Sequence, residues 1–421
     1  MAGLVIRKIF KYNRGESLMK QVSIARCENY NTDLVSESLD SLLISLGMDG
    51  ENPFGAFIKP GMRVTIKPNW VASRWRKSCN HVDDLYCVIT HPAVIEAVAD
   101  RVAMALEGKG EIIIADNPSI DADFEELMEF TNIRRLENKY NVPCHIYDLR
   151  PLVCPSLDVY GKKDKMVEAF GDPNGQIEIN LGEKSLLCDV DSKLFRGVFD
   201  EREETVASHT GETQLYTMAR SIYDADVFIS IPKLKTHQKV GATLNLKGLV
   251  GSITKKNQLV HWRIGTPETG GDEYPDKESY DRAYASGILH RGSWPGNDTI
   301  WRMVVDLYKT LITNEHQKRF TVIDGIMGGE GQGPFCPNSK MSKTLICSDD
   351  FLAADIVAVR YMGLNPHKIK YLSYFMDEWN IDIDNDIAVT LNGNIKRDYF
   401  SSVSAYEDFK VIDAWKDIKI H

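Results

Sequence analysis

The feature that most constrains the fold is a short apolar segment, residues 227–231, that ends abruptly in polar residues. Its β-branched and aromatic side chains predict a buried strand, which Pro232 ends. Residues 233–237 follow with two lysines, a threonine and a histidine, and we expect them to form a loop. The apolar spacing of residues 241–251 then predicts a helix. In open α/β sheets, loops beyond the carboxyl ends of strands are where ligands bind.

The same pattern recurs along the chain. Residues 61–69, 110–118 and 320–324 each predict a strand that ends in polar residues. Residues 93–106 and 122–130 have the spacing of helices. Strands that alternate with helices are typical of parallel β-α-β units. The sequence therefore predicts an α/β fold, with a mostly parallel sheet and flanking helices.

Two segments interrupt this alternation. Residues 150–210 predict an inserted antiparallel segment, and residues 255–297 are rich in Gly, Pro and aromatic residues. A long aperiodic stretch of the second kind is typical of a functional lid. We predict an α/β core at 1–370 that carries both insertions, and a C-terminal appendage at 371–421 with a strand at 387–391.

Composition excludes several classes of protein. The 421 residues carry a formal net charge of −10, which argues against nucleic acid as a partner. Residues 1–12 are too short and too charged for a signal peptide, and no run of 18 apolar residues predicts membrane insertion. We expect a cytoplasmic protein; its oligomeric state is left open.

Eight cysteines are scattered through the sequence without a C-x-x-C pair. Iron–sulfur clusters and zinc ribbons need close cysteine spacing, so we expect no iron–sulfur cluster. Cys79 and Cys87, flanked by His81 and His91, could form a metal site, but scattered reduced thiols are favoured. The cofactor is open, and a divalent metal is one candidate.

Four polar strand ends define the candidate site: residues 67–69, 116–118, 233–237 and 324–334. In a parallel sheet these segments lie along one edge. Asn-Pro and Asp-Gly are also ordinary turn formers, so a purely structural role is the alternative. The candidate substrate-binding residues are Lys67, Asn69, His91, Asp116, Asn117, Lys233, Thr236, Asn245, Lys247, Arg263, Asp272, Asp324, Gly329 and Gly331.

Residue chemistry suggests roles for these candidates. Lysines bind phosphate or carboxylate as compact point charges. His237, His261 and Lys235 are the candidate catalytic residues, since histidine transfers protons near neutral pH. His237 and Glu330 are candidate metal ligands. Each of these residues alone also fits a structural or surface role.

The Gly-rich segment around Glu330 predicts a loop that contacts a ligand. It is neither a Walker loop nor G-x-G-x-x-G, because it lacks both patterns of residues. Glycines such as Gly329 and Gly331 would still let backbone N–H groups approach an anion.

These motifs resemble the family catalogued as domain of unknown function 362, over about residues 60–365. The resemblance rests on Lys67-Pro-Asn69, Thr90-His-Pro92, Asp116, Pro232-Lys-Leu-Lys-Thr-His237 with Thr243-Leu-Asn-Leu-Lys-Gly248, and Asp324-Gly with Gly329-Glu-Gly-Gln-Gly-Pro334. It implies the α/β fold and no settled reaction. Many relatives carry a ferredoxin-like module that this chain lacks, so their electron-transfer role does not carry over.

The sequence is also distantly similar to the nickel-pincer lactate racemase family. That resemblance implies that His237 and Lys247 contact a metal or its nucleotide cofactor, although the Gly-Gly before the lysine is missing here.

We expect an enzyme that acts on a small anionic metabolite, with a phosphorylated or carboxylated sugar as one candidate. The reaction class is open. The alternatives are a non-catalytic metabolite- or metal-binding protein, a racemase-like enzyme with a metal or nucleotide cofactor, and a structural partner in a larger assembly.

Overall fold

The computed structural model describes residues 19–73, 84–287, 290–402 and 406–420. Its strands are β1 (Lys20–Arg26), β2 (Arg63–Pro68), β3 (Glu111–Asp116), β4 (Cys144–Asp148), β5 (Leu152–Val153), β6 (Val167–Glu168), β7 (Gln176–Asn180), β8 (Phe195–Arg196), β9 (His209–Thr210), β10 (Thr213–Ala219), β11 (Val227–Ile231), β12 (Lys233–His237), β13 (Gly241–Ala242), β14 (Trp262–Arg263), β15 (Lys318–Gln332), β16 (Cys336–Ser348), β17 (Ile387–Leu391) and β18 (Asn394–Ile395). Its helices are α1 (Thr32–Ser45), α2 (Pro92–Leu106), α3 (Phe124–Thr131), α4 (Glu203–Ser208), α5 (Arg220–Tyr223), α6 (Leu244–Gly248), α7 (Lys277–Ser286), α8 (Ile300–Leu311), α9 (Phe351–Tyr361), α10 (Lys370–Glu378) and α11 (Ile383–Asp386).

One large sheet organises the described residues. Its strand order is β18-β17-β1-β16-β15-β11-β2-β3-β4, and β12 pairs with both β15 and β13. The five strands from β15 through β11, β2 and β3 to β4 are mutually parallel. The strand β16 runs antiparallel to both β15 and β1. The predicted α/β fold with a mostly parallel sheet is confirmed.

The central strands are apolar on both faces because helices cover both faces. Ile112 and Ile114 of β3 pack with α1 and α2, whereas Ile113 and Ala115 of the same strand belong to the cluster that contains α8 and α9. This division follows from the alternation of side chains along a strand. Parallel strands that are buried on both faces have continuous rather than alternating apolar sequences, which is why they were recognisable.

The prediction of a loop at residues 233–237 is wrong. These residues form β12, which is buried along its whole length and pairs in parallel with β15. The pairing is irregular, since Lys233 lies opposite Asp324 but Lys235 lies opposite Gly329. The charged side chains therefore project into the interior of the protein, beyond the end of β11.

The prediction of a Gly-rich loop is also wrong over most of its length. Residues 325–332 belong to β15, which forms a long antiparallel hairpin with β16. A Cβ atom on Gly329 would lie 2.5 Å from the carbonyl oxygen of Cys87, and one on Gly333 would lie 1.9 Å from that of Thr236. Glycine is needed at these positions for close packing of backbone on backbone.

The insertions build antiparallel structure beside the main sheet. The strand β5 pairs antiparallel with β6, and β10 pairs antiparallel with β7 and β9. The strand β14, within the predicted lid, pairs with β8 of the other insertion. Residues 387–391 form the predicted strand, β17, which lies parallel to β1 in the main sheet. The domain boundaries stay predictions.

The cysteines agree in part with the expected reduced thiols. The free thiols are those of Cys27, Cys87, Cys144, Cys154, Cys188 and Cys347, whereas Cys336 is disulfide-bonded. Cys79 and His81, from the alternative metal site, lie outside the described residues. Within the described ranges, no helix has the length and apolar character needed to cross a bilayer.

We predict that Gly329→Ala destabilises the protein by about 1–3 kcal/mol, since the added methyl group overpacks the contact with Cys87. Urea unfolding measures the loss. Gly50→Ala is the control, because its nearest neighbour is a flexible side-chain atom at 4.0 Å. An unchanged free energy of unfolding for Gly329→Ala would contradict the packing role.

Candidate functional site

The ends of β2 and β3 are joined by a buried ion pair. The Lys67 ammonium lies 2.8 Å from Oδ1 of Asp116, and both side chains are about 5% exposed or less. The Asp116 carboxylate also accepts hydrogen bonds from the backbone N–H groups of Trp70 and Asn117. A Cβ atom on Gly251 would collide with this pair, so α6 and the turn after it close tightly over it. The Asp116 carboxylate is therefore engaged by contacts within the protein.

A second buried ion pair fixes β12 to β15. The Lys233 ammonium lies 2.8 Å from Oδ2 of Asp324, and both side chains are completely buried. The hydroxyl of Tyr30 donates to Oδ1 of Asp324 at 2.8 Å and accepts from Lys233 at 2.9 Å. The Tyr30 ring stacks on that of His91, whose Nδ1 caps α2 by accepting from the N–H of Ala93. Burial lowers the pKa of His91 to about 4.

Lys235 lies between three loops and is saturated with hydrogen bonds. Its ammonium donates to Oδ1 of Asn69 and to the carbonyl oxygens of Val88 and Pro334, at 2.7–3.2 Å. Burial lowers the pKa of Lys235 to about 7, whereas three oxygen acceptors favour its charged form. Since an ammonium group has three hydrogens, none remains for a substrate. The geometry favours a bracing role for Lys235 and Asn69, and the predicted catalytic role is untested.

Cationic and imidazole groups gather beyond these pairs, in what we call the lysine–histidine cluster: His237, Lys239, Lys247, Lys256 and His261. Burial lowers the pKa of His237 well below its usual value, and the positive charges of Lys247, Lys239 and Lys235 lower it further. The charges of Lys239, Lys247 and Lys256 act in the same direction on the pKa of His261. Each group therefore lies within range of its neighbours' charges.

Among the described residues, no carboxylate forms an ion pair with the lysines of this cluster. In the part of the chain that the structure describes, Lys247 forms neither an ion pair nor a hydrogen bond through its ammonium, although it is only 7% exposed. Lys256 donates to the carbonyl oxygen of Asn117, and Lys239 lies 4.2 Å from the centre of the Trp262 ring. Burial is the main cause that lowers the pKa of Lys247 to about 8 and that of Lys239 and Lys256 to about 7.

The two histidines use the same ring nitrogen in opposite ways. Nδ1 of His237 accepts a hydrogen bond from the backbone N–H of Lys239 at 3.0 Å. Nδ1 of His261 faces the carbonyl oxygen of Leu259 at 2.8 Å, so it must donate. The depressed pKa values keep both rings neutral. Neutral His237 therefore carries its proton on Nε2, and neutral His261 presents a lone pair there.

The lid supplies ion pairs at the border of the cluster, each between a buried carboxylate and a half-buried arginine. Arg263 lies 3.3 Å from Asp272, whose Oδ2 also accepts from the hydroxyl of Thr299. Arg291 lies 3.2 Å from Glu273. Because Asp272 and Glu273 raise the pKa of Lys239, their negative charges face the cluster. The structure places Arg263 and Asp272 within the lid's own network.

Other predicted residues are engaged in contacts within the protein. Asn245 is held by the buried carboxylate of Asp355 and accepts from Thr321, so it anchors α6 to α9 and β15. Thr236 donates to the carbonyl oxygen of Gly331. Oε2 of Glu330 accepts from the backbone N–H of Lys410. Across residues 19–73, 84–287, 290–402 and 406–420, no three His, Cys, Asp or Glu side chains are arranged to hold a metal ion.

The structure thus places His237, His261 and Lys247 within range of one another's charges, and the charge of Lys67 lowers the pKa of Lys247. It assigns Asp116, Asp324, Lys233 and His91 to buried internal contacts. Sequence reasoning missed Lys239, Lys256 and Arg291, which lie in the turn after β12 and in the lid. Lys256 and Arg291 lie in the aromatic-rich sequence of the lid, and that position is a signal that could have pointed to them.

The match to a known family decides the relationship. The family described as "Domain of unknown function (DUF362)" matches residues 64–170 and 188–360, which is more than half of the chain. The chain belongs to this family. The match ends at 360, close to the limit expected from the motifs, and includes every member of the lysine–histidine cluster.

A relative of this DUF362 chain is a thylakoid-associated protein of Synechocystis sp., which is 25% identical over 355 residues. The alignment covers 84% of this chain and 77% of that protein. A crystal structure of a Thermotoga maritima protein is similar with a TM-score of 0.37 and 11% identity. It covers 83% of this chain, which spans only 59% of that protein. The cytoplasmic location of this chain stays a prediction.

We predict that Asp324→Leu destabilises the protein by about 3–5 kcal/mol, because it leaves the Lys233 ammonium buried without its counter-ion. The double variant Lys233→Met with Asp324→Leu is expected to recover most of this loss, since it removes both charges. Urea unfolding of both variants measures the difference. A double variant that is less stable than Asp324→Leu alone would contradict this account.

We predict that the stability of the ligand-free protein rises with pH from about 8 to 10.5, because the pKa of Lys247 is about 8 folded and 10.5 unfolded. In this window the unfolded chain binds more protons, so raising the pH favours the folded state. Lys247→Met removes this contribution and stabilises the protein at pH 7 by about 1–3 kcal/mol. Urea unfolding at pH 7 and pH 10 in anion-free buffer checks both expectations, and equal slopes in the two proteins would refute them.

Proposed function

We propose that this protein is an enzyme that acts on a small anionic metabolite held by the lysine–histidine cluster. The observation that carries the proposal is Lys247, a buried ammonium group without a partner among the described residues. Burying an unpaired charge is costly, and proteins normally pair such a group or neutralise it. A phosphate or carboxylate of the ligand would supply the missing counter-ion.

The groups around Lys247 support a ligand that has other polar groups besides its anionic group. Lys67 and Lys256 each keep an ammonium hydrogen beyond the contacts that the structure gives them. Lys239 is held against Trp262, which leaves its hydrogens free to donate. His237 and His261 add a hydrogen-bond donor and a base beside these charges. This combination suits a phosphorylated or carboxylated sugar, whose anionic group binds the lysines.

The pKa values support catalysis rather than binding alone. A general base accepts a proton only in its neutral form, and burial, together with the neighbouring lysine charges, keeps His237 and His261 neutral. Strongly shifted pKa values cluster at functional sites, although structural ion-pair networks shift them as well. The non-catalytic binding protein remains the second candidate, and it differs in leaving its ligand chemically unchanged.

We predict that inorganic phosphate, sugar phosphates or sugar carboxylates raise the Tm of the protein, because they bind the folded state alone. The stabilisation is about 2.7 kcal/mol at a ligand concentration of 100 Kd. Lys247→Met should lose most of this shift. Lys277→Met is the matched control, because the Lys277 side chain is 74% exposed and pairs with Asp281 on α7.

An equal Tm shift in Lys247→Met and the wild type would sink the proposed site. NMR spectra of each stabilising ligand after incubation then separate an enzyme from a binding protein, since only an enzyme changes the ligand. If His237→Ala kept full affinity and full turnover, the role of His237 would be wrong.

A further inference from the structure

The opposite tautomers of His237 and His261 give their Nε2 atoms opposite hydrogen-bonding roles. The backbone of Lys239 donates to Nδ1 of His237, which leaves Nε2–H of His237 as a donor. The carbonyl of Leu259 accepts from Nδ1 of His261, which leaves Nε2 of His261 with a lone pair. Neither Nε2 atom has a hydrogen-bond partner among the residues that the structure describes. The backbone thus fixes one histidine as a donor and the other as a base.

We propose that the cluster catalyses proton abstraction from the carbon next to a carbonyl group of its anionic ligand, with His261 as the base and neutral His237 as the hydrogen-bond donor to the carbonyl oxygen. This inference rests on the proposed function and names its substrate class. The substrate is a phosphorylated or carboxylated compound with an aldehyde or ketone and a C–H bond beside it.

The step balances without a further reactant. The lone pair on Nε2 of His261 takes the proton, and the electrons of the broken C–H bond form a carbon–carbon double bond. The π electrons of the carbonyl move onto its oxygen, which becomes an enolate. Nε2–H of His237 donates to this oxygen and keeps its proton, and Lys247 offsets the new negative charge. The imidazolium of His261 then returns a proton to carbon, with solvent exchange while the enolate exists.

The charges around the cluster favour the donor role of His237. A neutral imidazole can polarise a carbonyl when its surroundings keep it from becoming imidazolium. Lys235, Lys239 and Lys247 provide that environment for His237. A donor aimed at the developing oxyanion acts most strongly in a site that excludes water, and His237 is 3% exposed.

The tautomers can be measured directly by ¹⁵N NMR of histidine-labelled full-length protein at pH 7, with His237→Ala and His261→Ala for assignment. We expect a proton on Nε2 alone for His237 and on Nδ1 alone for His261. His209 is an internal reference for a donating Nε2, which faces the carbonyl oxygen of Gln258, while its Nδ1 faces Oε1 of Gln214. The reverse tautomer, or a charged ring, at either His237 or His261 overturns the proposal.

The reaction is tested by deuterium exchange in D₂O with dihydroxyacetone phosphate and hydroxypyruvate, at concentrations that saturate the Tm shift. We expect deuterium at carbon beside the carbonyl of at least one compound. His261→Ala and His261→Gln should both lower the rate about 100-fold or more. His237→Ala should lower it by a similar factor, whereas His237→Gln, which restores a donor, should recover part of the loss. His316→Ala, on an exposed loop, should leave the rate unchanged.

The outcomes separate the two proposals. Absence of a Tm shift with inorganic phosphate and with both carbonyl compounds refutes the proposed function itself. A shift with phosphate alone overturns the substrate class inferred here. A shift with a carbonyl compound but no deuterium exchange overturns the reaction, while the anion site stands.

Discussion

The structure depends on placing positively charged ammonium groups where water is excluded. Lys67, Lys233, Lys235, Lys247 and Lys256 are all less than 9% exposed, in a protein whose net charge is −10. Desolvation penalises each of these charges, so each needs compensation close by. Two receive a carboxylate and one receives three oxygen acceptors. Lys247 receives no acceptor from the described residues. We therefore distinguish the lysines that stabilise the fold from Lys247, which we assign to the candidate site.

The compensated lysines connect parts of the chain that are far apart in sequence. Lys233 joins β12 to β15 and Tyr30, and Lys235 joins β12 to three loops. These contacts require close backbone packing, which Gly329 and Gly333 permit. The Gly-rich segment therefore shapes the wall that holds His237.

Most of the sheet could be predicted from the sequence, because continuous apolar segments such as β3 and β11 identify strands covered on both faces. The strand β12 could not, since its charged side chains are typical of a loop and their partners lie some 90–170 residues away. The sequence identified His237, His261 and Lys247 as candidates. It missed Lys239 and Lys256, because no local pattern distinguishes a lysine that faces a site from one that faces solvent. The pairing of Asn245 with Asp355 is equally invisible to local reasoning.

The position of β1 has a consequence for synthesis of the protein on the ribosome. This strand, Lys20–Arg26, precedes β16 and β17 in the chain but lies between them, and they end at Ser348 and Leu391. Until those residues emerge, β1 has neither of its neighbours, and unpaired strand edges favour association with other chains. The nascent chain therefore carries β1 without its sheet neighbours until β16 and β17 emerge, and a molecular chaperone that binds extended apolar segments would meet it there.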